Sequence, residues 1–106
     1  LQIVAQAGLP AVVSSALDTS VGIRAGLALA AALPELPYAC GLGTVSLLAA
    51  DVTRDPLIPD DGAIRLRDVA VEPGLLDEYA APPERRDWWL DRLRRVYAVL
   101  ATSTAP

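Results

Sequence analysis

The chain has 106 residues, 53% of them hydrophobic and 21% charged, with a net charge of −4. A pI of about 4.6 suits neither nucleic acid nor an anionic membrane, both of which reward a basic surface. There is no His, and all nine basic residues are Arg, which excludes an imidazole base, a Ser-His-Asp triad, a Schiff-base lysine and a P-loop lysine within these residues.

Residues 1–7 pattern as the last turns of a helix, with Gly8 as its C-terminal cap and Pro10 preventing continuation. Ala11 to Leu17 is a short β-rich run without strict alternation, as expected of a strand buried on both faces of a parallel sheet. Asp18, Thr19 and Ser20 are all good helix-capping residues and introduce a helix from Ser20 to Leu33, stopped by Pro34. That helix is apolar nearly all round, which predicts burial. Gly22, Gly26 and Ala30 form a small-residue stripe along it. After a loop at Pro34–Pro37, Tyr38 to Cys40 reads as a second short buried strand ending in Gly41-Leu42-Gly43-Thr44, and Val45 to Val52 as a short helix. Helix, strand, helix, strand, helix with short loops is the order of parallel β/α units.

From Thr53 the character changes. Pro56, Pro59 and Asp60-Asp61-Gly62 mark a turn-rich loop, Ala63 to Arg67 alternates as a half-exposed strand, and Val69 to Val71 is a further extended piece. A brief helix is expected over Gly74–Tyr79, broken by Pro82-Pro83. A final helix from Glu84 to Ala101 carries Trp89, Leu93, Val96, Tyr97 and Leu100 on one face, with an Asp91–Arg95 pair at i,i+4.

Residues 1–50 hold three charges, Asp18, Arg24 and Glu35, and the other nineteen follow. The first half therefore reads as interior material. Two parallel strands need cover on both faces and edges, and the chain opens on Leu1 inside a helix, so a piece of a longer protein is expected. The single Cys40 allows no internal disulfide, and a reducing cytoplasm fits. The longest apolar run near the middle, Ala25 to Leu33, is far short of the roughly 20 residues of a membrane span.

Ser14-Ser15-Ala16-Leu17-Asp18-Thr19-Ser20-Val21-Gly22, an Ala/Leu-rich helix, and then Tyr38-Ala39-Cys40-Gly41-Leu42-Gly43-Thr44 resemble the C-terminal portion of o-succinylbenzoate synthases, in particular the actinobacterial type. These belong to the muconate-lactonising branch of the enolase superfamily. The resemblance is strongest over residues 8–62 and looser through the last helix. It implies an α/β fold: the last two β/α units of a (β/α)8-type barrel over residues 1–60, Ala11–Leu17 as its seventh strand and Tyr38–Gly41 as its eighth. Residues 61–106 supply a short strand and helices that return to the capping domain. It implies a lyase of menaquinone biosynthesis that dehydrates succinyl-hydroxycyclohexadiene carboxylate to o-succinylbenzoate. A lysine removes the proton and Mg stabilises the enediolate, with the lysines and Mg ligands all outside this chain. The implied partners are a small-molecule carboxylate and the remainder of the barrel and capping domain, with no nucleic acid or membrane.

Barrel sites lie at the C-terminal ends of the strands. The implied substrate-binding wall is therefore Ser14, Ser15, Ala16, Leu17 and Asp18 with Gly41, Leu42 and Gly43, none of them catalytic. Glycines there let the backbone approach a carboxylate. Plainer readings compete at each position. The serines also satisfy local backbone near strand ends, and the Asp-Thr-Ser context favours Asp18 as an N-cap. Cys40, without a His to activate it, reads as an inert thiol. Asp51, Asp55, Asp60 and Asp61 read as turn formers rather than metal ligands. Trp88-Trp89 among Arg85, Arg86 and Arg92 reads as part of a packed amphipathic helix. Two other functions stay open at this point: an N-acylamino acid racemase or dipeptide epimerase of the same superfamily, and a small non-enzymatic domain that docks through its apolar half.

Overall fold

The computed structural model describes residues 2–103, so Leu1 of the first predicted helix lies outside the described residues. Helix α1 spans Gln2–Gln6. Its end is a Schellman motif: the Leu9 amide donates to the Val4 carbonyl (3.2 Å) and the Gly8 amide to that of Ala5 (3.1 Å). The motif requires a left-handed residue, which Gly8 supplies with φ +64°.

Helix α2, Ser20–Ala31, organises the core. Ile23, Leu27 and Ala30 lie on one stripe. Ala30 packs with Val13 and Leu42, and Ile23 with Val45 and Leu57, while Leu27 and Ile64 touch both groups. Gly26 lets Leu42 pack close against the helix: a Cβ there would sit 2.8 Å from a Leu42 methyl, which would have to shift. The expectation that α2 is largely buried is corrected. Only Ser20, Ile23 and Ala30 are buried, while Val21 and Leu29 are nearly half exposed, because no described element lies against the outer face.

The described residues contain no strand. The two predicted strands do meet in parallel, but through a single bridge between Ser14 and Gly41. The Gly41 amide donates to the Val13 carbonyl (2.9 Å) and the Ser15 amide to that of Gly41 (3.0 Å). A parallel ladder gains length from neighbours on both edges and cover on both faces, and here each piece has one neighbour. The helix expected over 45–52 is instead a 3-10 turn, Gly43–Leu47, after which Leu48 is extended. Asp51 and Val52 are committed elsewhere, Asp51 to the start of α2 and the Val52 carbonyl to the Glu72 amide (2.9 Å).

Residues 51–72 form a strap across α2. Arg67 holds it by pairing with Asp55 (2.9 Å) and donating to the Asp55 carbonyl (3.0 Å), and Leu57, Ile64 and Val69 pack beneath. The strand predicted over 63–67 is absent; the only pairing there is the Asp60–Ala63 bridge, closed around Asp61 and Gly62 with φ of 46° and 74°. Two successive positive φ values are what a tight hairpin turn requires, and Asp-Gly is the pair that tolerates them.

Helix α3, Pro73–Glu78, starts on a proline. Helix α4, Pro83–Ser103, matches its prediction within two residues at each end. Every described side chain from 83 to 102 is exposed, including the stripe from Trp89 to Leu100, so the expected packing of that face is not present. Asp91 pairs with Arg94 at 2.8 Å rather than with Arg95. The radius of gyration is 16.8 Å, against about 13 Å for a compact domain of this length. Among the described residues, no helix is long and apolar enough to cross a membrane.

Candidate functional site

The parallel bridge fixes which way the strand-end side chains turn. Val13 and Leu42 are buried toward α2. Successive residues of an extended chain alternate, so Ser14 and Gly41 face away from it. They are also in contact: a Cβ on Gly41 would lie 2.9 Å from Ser14 Oγ. The Ser14 hydroxyl has only a long 3.5 Å approach to the neighbouring Ser15 carbonyl and is exposed. It remains able to donate to a ligand.

Ser15 turns the other way and is fully engaged. Its hydroxyl donates to the Gly41 carbonyl (3.1 Å) and lies 2.8 Å from Thr44 Oγ1. The two adjacent serines are therefore unlike. One presents a hydroxyl to the open face, and the other bolts the strand ends together.

The remaining predicted residues scatter. Ala16 and Leu17 are exposed beyond the bridge. Leu42 is only 3% exposed, with its side chain in the core, which leaves its backbone for any role at the lip. Gly43 opens the 3-10 turn, and a Cβ there would meet Pro59 at 3.2 Å. Ser14 to Asp18 line neither of two surface cavities. One, of about 390 Å³, lies between Leu27, Tyr38, Leu42 and Ile64. The other, of about 380 Å³, lies between Val4, Leu9, Leu33 and Pro37.

The N-cap expected of Asp18 is not formed. Thr19 occupies the cap position with no side-chain bond, and Asp18 instead rests against Gly22. The start of α2 is satisfied by Asp51, whose carboxylate accepts from the Ser20 amide (3.0 Å) and hydroxyl and from the Val52 amide (2.7 Å). Ser20 Oγ in turn accepts from the Leu57 amide at 2.8 Å. A carboxylate at a helix start meets both unpaired amides and the positive end of the dipole. Sequence reasoning missed this because capping rules are local, while Asp51 is 31 residues from Ser20. The one available signal was an isolated acid ending an uncharged stretch.

Among the described residues, no group of three or more His, Cys, Asp or Glu could hold a metal ion. Asp60 and Asp61 are turn residues, and Asp55 pairs with Arg67. The described side chains therefore do not fit a magnesium site. Cys40 is a half-buried free thiol packed beside Val13, Ala30 and Leu42. On α4, Arg85 and Arg92 lie over the edge-to-face pair Trp88–Trp89, whose centroids are 4.7 Å apart.

No protein-family model matches the chain. Curated proteins named o-succinylbenzoate synthase are similar to it, among them those of three mycobacteria. That of Mycobacterium leprae is 53% identical over 100 residues, covering 94% of this chain and 30% of that protein. That of Mycobacterium ulcerans is 52% identical with the same coverage. That of Mycobacterium tuberculosis is 50% identical over 103 residues, covering 97% of this chain and 31% of that protein. The chain thus spans about 30% of the length of the curated relatives it matches. The resemblance carried by Ser14–Gly22 and Tyr38–Thr44 extends across nearly the whole sequence, and the chain is a homologue of one part of the mycobacterial o-succinylbenzoate synthases.

Proposed function

We propose that the chain forms the last two β/α units of an enolase-superfamily barrel, and that the intact protein is a carbon–oxygen lyase that makes o-succinylbenzoate for menaquinone. The observation that carries this is 50–53% identity over at least 94% of the chain to proteins of that name. In this reaction succinyl-hydroxycyclohexadiene carboxylate loses the proton α to its carboxylate and the neighbouring hydroxyl as water, and the ring becomes aromatic. The base is not in this chain, whose basic residues are all arginine. Magnesium would be held by carboxylates outside this chain, where it would stabilise the negative charge that develops on the substrate carboxylate.

The chain's contribution in this reading is to bind and orient. Residues 1–60 bring two strand ends to the mouth of the barrel, where substrate sits in folds of this class. Ser14 donates its hydroxyl to a substrate oxygen, and Gly41, lacking a Cβ, leaves the Ser14 hydroxyl unobstructed. The Leu42 and Gly43 backbone and residues 16–18 complete the rim. Residues 61–106 lie against the barrel and capping domain, which cover the α4 stripe. The expected compartment is the cytoplasm.

The test is turnover by the purified intact protein, followed by chromatographic detection of o-succinylbenzoate. Product formation is expected, faster than racemisation of an N-acylamino acid. A folded intact protein that forms no product, or that racemises faster than it dehydrates, contradicts the reading.

A further inference from the structure

We propose that Thr44 is a positioning residue whose hydroxyl holds Ser15, and through Ser15 the Gly41 wall of the substrate site. The inference rests on the lyase reading above. Ser15 Oγ carries one hydrogen, and the Gly41 carbonyl can only accept, so the 3.1 Å bond is donated by Ser15. The 2.8 Å contact with Thr44 Oγ1 must then be donated by Thr44. The result is a directed chain from the Thr44 hydroxyl to the Ser15 hydroxyl to the Gly41 carbonyl.

That carbonyl also accepts the Ser15 amide at 3.0 Å. Two donors from one residue pin the peptide that follows Gly41, and with it the α-carbon packed beside Ser14 Oγ. Thr44 is free for this because the 3-10 turn is served by another hydroxyl: Ser46 Oγ donates to the Gly43 carbonyl at 2.9 Å. A threonine in such a turn ordinarily bonds its own backbone; this one reaches across 29 positions of sequence. Both hydroxyls are half-buried, where losing one donor is felt more than at the surface.

The test compares Thr44→Val, which keeps the shape and removes the donor, with Thr44→Ser, which keeps the donor, in the intact protein. Thr44→Val is expected to raise KM about three- to tenfold with kcat changed less than about twofold, the pattern of a loosened binding wall. Thr44→Ser is expected to restore KM to within about twofold. A wild-type KM in Thr44→Val, or equal damage in Thr44→Ser, overturns the proposal. Amide exchange at Ser15 and Gly41 is read in the same proteins. It accelerates in Thr44→Val and is restored in Thr44→Ser if the relay exists, and unchanged exchange overturns it. Should the wild-type protein form no o-succinylbenzoate, the lyase reading falls, and the exchange data still decide the relay.

Discussion

The segment from Val13 to Val69 and helix α4 are opposites. The first is poor in local signal and rich in tertiary contact: α2 is held by Val13, Leu42, Val45, Leu57 and Ile64, which arrive from three separate stretches. The second has strong helical periodicity, yet every described side chain in it is exposed. Period and propensity suffice to wind a helix of 21 residues. They do not provide the surface against which its Trp89–Leu100 stripe packs. In the proposed barrel both regions obtain that surface from the rest of the protein.

The contrast can be broken by isolating the chain. Residues 1–106 expressed alone are expected to show helical far-ultraviolet dichroism with a broad, non-cooperative melt and dye-binding apolar surface. A sharp, reversible transition would make the core self-sufficient and remove the need for further cover.

Within the intact protein the next largest effect is expected at the strand ends. Gly41→Val places branched carbons where Ser14 Oγ already stands 2.9 Å from a Cβ, and turnover should fall at least about tenfold, the range in which a small misplacement of binding groups is felt. Wild-type kinetics would remove Gly41 from the wall. Ile23→Ala empties a fully buried site and should cost about 2–5 kcal/mol in denaturant unfolding. A loss below about 1 kcal/mol would show that the α2 stripe is not the centre of the core.

Asp51→Ala strips the acceptor from the Ser20 amide and hydroxyl and should destabilise by about 1–3 kcal/mol. Asp18→Ala, at the residue that sequence rules favoured as the cap, should change stability by less than about 0.5 kcal/mol. Reversed magnitudes would restore the local cap. The smallest effect belongs to α4, where Asp91→Asn removes only an exposed pair with Arg94 and should stay within about 0.5 kcal/mol.

Legibility in the sequence followed the distance over which each cause acts. The Gly8 cap, the Asp61-Gly62 turn and the limits of α4 depend on neighbours within a few residues, and each could be read directly. The meeting of Ser14 with Gly41 was legible as two apolar runs that must pair, but the length of the pairing was not, because it depends on adjoining strands. The Asp51 cap and the Thr44–Ser15 relay link residues 31 and 29 apart, and no periodicity encodes them. The place of Leu42 between two glycines groups it with the strand-end wall, whereas alternation turns its side chain into the core.

A structure of the intact protein with o-succinylbenzoate bound tests the proposed binding wall most directly. The product is expected at the C-terminal ends of the two bridged segments, with an oxygen within hydrogen-bond distance of Ser14 Oγ and the ring side against Gly41. Product bound away from both strand ends would contradict it.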